Sequence, residues 1–289
     1  MQEKFDKFNI DKKKAEMKFV IGGVTLIVGV LLFLLIPEVI VIGIICFIAG
    51  IVLLVMGQSG FAKINNRFKN EVLSDVVSTF VDNGVFSPNQ GLSLAQVYAT
   101  EFVQHGDRFH SEDYLSGSIE GVSFISSDVK VEEEHVEHTK NGTRRYYVTT
   151  FLGRVFKFDF NKPLDGYLQV LEKGKPTVNR KYNKVKLESV QFNKKFKTFA
   201  TSDHLAFYVL TPHFMEGLMD FEANNKGHIS FSFIGKHLHI GINNFRDTFE
   251  LKKFVPVSMA IFDEFKKELL VVQEIIKELK LNNKIFMKE

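Results

Sequence analysis

Histidine and carboxylate side chains are the groups in this sequence best suited to chemistry. Residues 132–138, Glu-Glu-Glu-His-Val-Glu-His, combine imidazole with carboxylates, which divalent metals accept as ligands. On a strand, however, His135 and His138 point to opposite faces, so a solvated hairpin arm is the better interpretation. His237 and His239 share one face at strand spacing, but two ligands on an exposed face fall short of the three in a catalytic zinc site. The sequence therefore predicts no metal site.

Other catalytic motifs are also missing. Residues 173–177, Lys-Gly-Lys-Pro-Thr, lack the first glycine of a phosphate-binding loop, and the proline removes a backbone donor. Residues 117–121, Gly-Ser-Ile-Glu-Gly, are not a nucleophile elbow because serine directly follows glycine. There is no dinucleotide fingerprint. We predict no catalytic residue and no cofactor, and a hydrolase built from Ser, His and Asp residues distant in sequence remains an alternative.

A basic segment is the strongest candidate for binding. It contains nine basic residues and almost no acids: Lys173, Lys175, Arg180, Lys181, Lys184, Lys186, Lys194, Lys195 and Lys197. Such a cluster can hold anionic lipid head groups or an acidic protein partner. Aromatic residues interleave, as in RNA-binding surfaces, but the net charge of only +3 gives no support to a nucleic-acid partner. Solvated loops and strand edges, which lysines often protect, explain the same composition without a ligand.

An apolar stretch near the N-terminus determines where the rest of the chain is located. From Phe19 to Met56 the only charged residue is Glu38, beside Pro37. The stretch is too long for one membrane span and predicts two, Phe19–Ile36 and Val39–Met56, joined by a turn at the proline. Each span would be about 27 Å long. Basic residues precede the first span and follow the second, so the positive-inside rule places both termini in the cytoplasm.

Glycines recur at seven-residue spacing in both predicted spans. The two sets are Gly22 and Gly29 in the first, and Gly43, Gly50 and Gly57 in the second. Small residues on one stripe let helix backbones approach closely in lipid. Packing within the hairpin is the simpler interpretation, and self-assembly through the same stripe is the alternative.

The remaining sequence predicts an α+β fold. Amphipathic helices are expected over 61–81, 93–104 and 257–281, and another begins at Thr211-Pro212, a cap followed by a first-turn proline. β-Branched and aromatic runs flank the Asn141-Gly142 turn, and a second hairpin surrounds Gly235-Lys236. Further strands are expected at 167–171, 185–192 and 195–201. Tight hairpins imply an antiparallel sheet with flanking helices. The single cysteine, Cys46, excludes a disulfide framework.

Several segments occur in a familiar order. They are residues 113–117 (DYLSG), 151–162 (FLGRVFKFDFNK), 187–192 (LESVQF), 196–203 (FKTFATSD), 210–215 (LTPHFM) and 229–233 (ISFSF). On these motifs the chain resembles an uncharacterised bacterial family of two-span membrane proteins with a C-terminal domain of unknown function. Members are often encoded near LemA-type membrane proteins. The resemblance, over about residues 67–281, implies the bacterial inner membrane as location and brings no assigned catalytic residue.

Together these patterns predict four regions. They are a basic cytoplasmic arm (1–18), the transmembrane hairpin (19–56), a helical connector (57–117) and a soluble α+β domain (118–289). The predicted function is that of a non-enzymatic, membrane-tethered cytoplasmic module that binds a protein or anionic lipid at the inner membrane surface. A membrane-bound hydrolase and a self-assembling structural component are the alternatives.

Overall fold

The computed structural model describes residues 2–140, 142–159, 164–178 and 182–281. The chain divides into two compact units. The first unit is Met1–Leu73 with Phe249–Lys266, and the second is Ser74–Thr248 with the chain from Lys267 onward.

Helices and strands follow the order below. The helices are α1 (Gln2–Leu35), α2 (Ile40–Phe68), α3 (Ser74–Phe80), α4 (Leu94–Tyr98), α5 (Val190–Lys195), α6 (Asp203–Val209), α7 (Pro212–Asn224) and α8 (Met259–Glu278). The strands are β1 (Asp82–Ser87), β2 (Arg108–Ile119), β3 (Val122–Thr139), β4 (Gly142–Asp159), β5 (Tyr167–Leu171), β6 (Asn183–Val185), β7 (Lys197–Ala200), β8 (His228–Ile234) and β9 (His237–Asn243). A 3₁₀ turn, Pro37–Val39, joins α1 to α2, and one π-helical turn, Lys69–Leu73, follows α2.

The first unit is built on the antiparallel pair α1 and α2. Both helices are long and apolar enough to cross a membrane. Side chains such as Ile27 and Val55 are more than half exposed along the apolar part of the pair. Beyond that part, α1 buries Phe5 and Phe8, and Phe8 packs edge-on against Phe68 at 5.5 Å. Residues 2–18, predicted as a basic cytoplasmic arm, belong to α1 and bury an apolar face.

A non-helical segment, residues 249–258, completes the first unit, and we call it the strap. Side chains on α1 and α2 hold its backbone. Asn9 accepts from Val257 N (2.7 Å) and donates to Val257 O (2.9 Å), while Asn65 accepts from Leu251 N (2.9 Å). Lys12, although buried, donates to Val255 O at 2.9 Å and pairs with Glu16. The strap is thus fixed by polar contacts that satisfy its backbone groups.

The second unit contains one antiparallel sheet. Its strands, counted over the described residues, are nine in the order β1-β2-β3-β4-β9-β8-β5-β7-β6. Alternation puts Phe231 and Phe233 of β8 on one face, where α7 covers them through Phe221 (6.2 Å) and Phe214 (5.9 Å). The predicted α+β fold, with N-terminal apolar helices followed by an antiparallel sheet with flanking helices, is confirmed.

The opposite face of the sheet carries a smaller core. Val129, Val131 and Val155 pack there against Leu92 and Val97, which belong to the segment around α4. That segment begins at Ser93, whose side chain forms a reciprocal capping box with Gln96. Residues 57–117, predicted as a helical connector, contain the end of α2, the π-helical turn and α3, followed by β1, the short α4 and most of β2. The Asp82-Asn83-Gly84 turn signal marks a bulged strand start rather than a loop.

Candidate functional site

Five of the predicted basic residues line one cavity of about 450 Å³ at the edge of the sheet in the second unit. We call it the basic cavity, and its lysines are Lys184, Lys186, Lys194, Lys195 and Lys197. The first two flank the end of β6, the next two end α5, and the last begins β7. The structure therefore brings together lysines that are up to 13 residues apart in sequence.

Short-range contacts build the walls of the basic cavity. Ser189 caps α5 by accepting from Phe192 N at 3.2 Å. The side chain of Asn193 closes the preceding loop, accepting from Leu187 N (3.1 Å) and donating to Leu187 O (2.6 Å). Phe192 and Phe196 are buried and anchor both ends of the helix. The expected strand at 185–192 is consequently short, because the chain turns into α5 at the Ser189 cap.

One carboxylate, that of Glu172, lines the basic cavity together with the five lysines, so the lining carries a net positive charge. Lys195 pairs with Glu222 at 2.5 Å, and this hydrogen bond raises the pKa of the lysine. Among the described residues, the other four lysines form no ion pair with a carboxylate. Thr198 also lines the cavity, is 1% exposed, and its hydroxyl has no partner among those residues. Four free ammonium groups and a buried hydroxyl are chemistry suited to an anion with several oxygens.

The remaining predicted basic residues lie elsewhere. Lys173 donates to His228 Nε2 at 2.9 Å. Lys175 lines a neighbouring groove of about 640 Å³ with His105, Thr177 and Lys197. Arg180 and Lys181 lie outside the described residues.

The glycines at seven-residue spacing all lie where α1 and α2 approach closely. A Cβ added to Gly29 would come 2.6 Å from the backbone nitrogen of Phe47, and one on Gly50 would come 2.7 Å from that of Leu26. Gly22, Gly43 and Gly57 are similarly crowded, at 2.9 Å from the nearest atom of the other helix. Gly23, adjacent in sequence, has nothing within 4 Å.

The sequence predicts that the two histidines of β9 lie on an exposed face, but the structure does not place them there. His237 is partly exposed and contacts Asp159 at 2.8 Å, but His239 is buried beside Ser232. Phe102 covers this face, since its ring lies 2.4 Å from where a Cβ on Gly241 would be. Burial, followed by repulsion from His237 and Lys157, lowers the pKa of His239 to about 3. His239 is therefore neutral at physiological pH.

A buried polar network around Arg154 was not expected from the sequence. Its guanidinium donates to Asp128 Oδ1 (2.9 Å), to the hydroxyl of Thr248 (3.1 Å) and to the carbonyl of Asp113 (3.0 Å). The signal was present: Arg154 is the one cation in the apolar run 151–156. Carboxylate oxygens of Asp113, Asp128 and Asp247 come within 4.8 Å of one another, a spacing compatible with a metal ion. The guanidinium already supplies the compensating positive charge there.

Among the described residues, no serine hydroxyl hydrogen-bonds to His237. The basic cavity remains the candidate site with the most distinct chemistry.

Part of the chain, drawn from both units, matches a family model. Residues 149–281 match the family model described as "Protein of unknown function (DUF3137)". Together with the two apolar N-terminal helices, this match confirms the predicted kind of protein, one with such helices and a C-terminal domain of unknown function.

One solved structure is similar in part. It is the crystal structure of the mycobacterial trehalose monomycolate transport factor A, TtfA, at 9% identity and a TM-score of 0.40, covering 74% of this chain and 95% of that one. No curated protein matches the sequence.

Proposed function

We propose that this chain is a membrane-tethered, non-enzymatic module that binds the phosphate-bearing head group of an anionic lipid in the basic cavity. The observation that carries the proposal is the convergence of Lys184, Lys186, Lys194 and Lys197 on one cavity. Among the described residues these lysines form no ion pair, although the carboxylate of Glu172 also lines the cavity. Each basic residue near an anionic membrane surface contributes about 1 kcal/mol. Thr198 adds a buried hydroxyl that can donate to a phosphate oxygen.

The tether is the α1–α2 hairpin, which in this proposal spans the bilayer twice. Support comes from the length and exposed apolar surface of both helices, and from the tight 3₁₀ turn at Pro37–Val39. Lysines precede the first span and follow the second, so both termini and the second unit would face the cytoplasm of a bacterial cell. A reporter that is active only outside the cytoplasm should be silent at either end. Activity at one end would reject this topology.

Lipid binding is tested on the full chain in neutral detergent. Native mass spectrometry should detect more bound phosphatidylglycerol than phosphatidylcholine of the same acyl chains. The variant K184E/K194E should lose this preference, because charge reversal makes the cavity repel phosphate. The variant K226E/K236E, which changes net charge equally at exposed lysines away from the cavity, should keep it.

Three outcomes would reject lipid as the ligand. They are equal binding of both lipids, equal loss in both variants, and a preference that survives K184E/K194E. Inorganic phosphate is tested separately as a second ligand. If phosphate binds to the cavity while phosphatidylglycerol does not, the ligand is a soluble phosphate compound rather than a lipid.

A further inference from the structure

The tip of the strap, residues 252–256, is unusual because it exposes apolar side chains on a well-held backbone. All five residues are exposed: Lys252, Lys253, Phe254, Val255 and Pro256. Phe254 is 61% exposed and has φ of 60°, a conformation that bulky side chains rarely adopt. Strain of this kind persists only where surrounding contacts impose it, and it concentrates at functional segments.

Contacts from both helices impose this conformation. The backbone N–H of Phe254 donates to Glu16 Oε1 at 2.6 Å, and the ammonium of Lys253 donates to Gln58 Oε1 at 2.8 Å. Lys253 also lies over the rings of Phe19 (4.2 Å) and Phe61 (5.6 Å). Phe254 and Lys253 of the tip are therefore held by Glu16 on α1 and Gln58 on α2, while the carbonyl of Val255 accepts from Lys12.

The contacts with Glu16 and Gln58 set the depth of Phe254 and Lys253 relative to the predicted spans. Glu16 precedes Phe19, the first residue of the first predicted span, by about 4.5 Å along the helix, and Gln58 follows Met56, the last residue of the second, by about 3 Å. The polar layer on each side of a bilayer is roughly 5–7 Å thick. The tip accordingly lies at the level of the lipid head groups, provided that the hairpin spans the membrane.

The composition of the tip suits that layer. An aromatic ring and a β-branched side chain face outward beside two lysines, the combination found in segments that rest in the membrane interface. The hairpin also exposes apolar side chains near the start of the span, such as Val20 and Ile21. Lipid is therefore the partner consistent with both the composition of the tip and the exposed apolar surface of the hairpin.

We infer that the strap tip is a membrane-interface anchor in which Phe254 inserts among the head groups and upper acyl chains. This inference rests on the membrane-spanning hairpin of the proposed function. Through the Asn9, Lys12 and Asn65 contacts, the strap links the chain beyond residue 248 to the bilayer surface.

The absence of tryptophan from the sequence makes a direct test possible. Phe254→Trp and Phe47→Trp each place a single tryptophan in the full chain, at the tip and near the middle of the second predicted span. Both chains are reconstituted into phosphatidylglycerol-containing vesicles, with bromine high on the acyl chain, low on it, or absent. Bromine quenches tryptophan fluorescence only at short range, so the comparison reports depth.

The two tryptophan variants should be quenched most strongly by bromine at different depths. Phe254→Trp should lose more fluorescence to high than to low bromine, and its emission should shift to the blue on reconstitution. Phe47→Trp should lose more to low bromine. If Phe47→Trp is quenched while Phe254→Trp is not, the anchor inference is wrong and the spanning hairpin stands; a partner protein would then be the occupant of the tip. If neither is quenched, the spanning hairpin itself fails.

Discussion

Arg154 and Asp128 form a buried ion pair, with Arg154 Nη1 donating to Asp128 Oδ1 at 2.9 Å and both side chains 5% exposed. The pair joins β3 to β4, where the two residues are direct cross-strand neighbours. Thr248, at the end of the second unit, donates its backbone N–H to the other Asp128 oxygen at 2.9 Å. The Asp128 carboxylate thus binds both the neighbouring strand, through Arg154, and the segment that follows the sheet, through Thr248.

Breaking this pair should be costly. Arg154→Met leaves the Asp128 carboxylate buried without its cation, and we expect a loss of about 3–5 kcal/mol in the free energy of unfolding. Thermal or urea unfolding of the full chain in detergent, followed by circular dichroism, measures the change. Arg154→Met combined with Asp128→Leu should recover part of the loss, because no uncompensated charge remains. A double variant no more stable than the single one would contradict this account.

His239 should make the second unit sensitive to acid. Its pKa is about 3 in the folded chain against 6.5 when unfolded, so below pH 6.5 the unfolded state binds the additional proton. Stability conferred by the neutral ring is complete above pH 6.5 and is lost as pH falls toward 3. Between pH 6.5 and pH 5 we expect a loss of about 2 kcal/mol.

The matched variant for this effect is His239→Gln, which cannot titrate. Its unfolding free energy, measured over the same pH range in the same detergent, should fall less steeply than that of the unaltered chain. Absolute stability at pH 7.5 serves as each protein's own reference. Parallel slopes would show that another group causes the acid sensitivity.

The glycine contacts of the hairpin predict a contrast between neighbouring positions. Gly22→Ala places a methyl group 2.9 Å from the backbone nitrogen of Leu54 and should destabilise the helix pair by about 1–3 kcal/mol. Gly23→Ala meets no atom within 4 Å and should cause no loss, since alanine also favours the helix. Thermal unfolding in detergent compares the two. Similar effects at both positions would argue that close backbone packing does not stabilise the hairpin.

Asn9 offers a test of how the strap is held. Asn9→Ala removes both partners of the Val257 backbone, and we expect a local loss of about 1–3 kcal/mol. Hydrogen exchange read by mass spectrometry should show faster exchange across residues 251–258. The control is Asn70→Ala, because among the described residues the exposed Asn70 side chain bonds only to Asn66, one helical turn earlier. Equal exchange in both variants would show that other contacts suffice.

Short sequence patterns correctly predicted the elements that depend on residues close together in the chain. The β8–β9 hairpin was expected around Gly235-Lys236 and is found there, at His228–Ile234 and His237–Asn243, because alternation and the turn are both visible in sequence. Thr211 caps α7 as predicted, accepting from Phe214 N at 3.3 Å. Strand β1 was missed because it begins with turn-forming residues and a bulge.

Long-range polar contacts were beyond such patterns. Lysine density identified the basic segment, but the cavity depends on how α5 folds back beside β7, which Asn193 and Phe196 decide. His239 was expected on an exposed face because its cover, Phe102, lies on a distant segment. Nothing in the sequence around residue 254 indicates that Glu16 holds it.

The strap also determines when the first unit can be completed during synthesis. Its contacts with Asn9 and Glu16 join residues separated by 248 and 238 positions. At translation rates of roughly 5–20 residues per second, the hairpin waits on the order of 10–50 s for the strap to emerge. During that interval Asn9, Lys12 and Asn65 are hydrated on the growing chain. A ribosome that stalls before residue 249 therefore leaves the helix pair without the strap that Asn9, Lys12 and Asn65 hold in the complete chain.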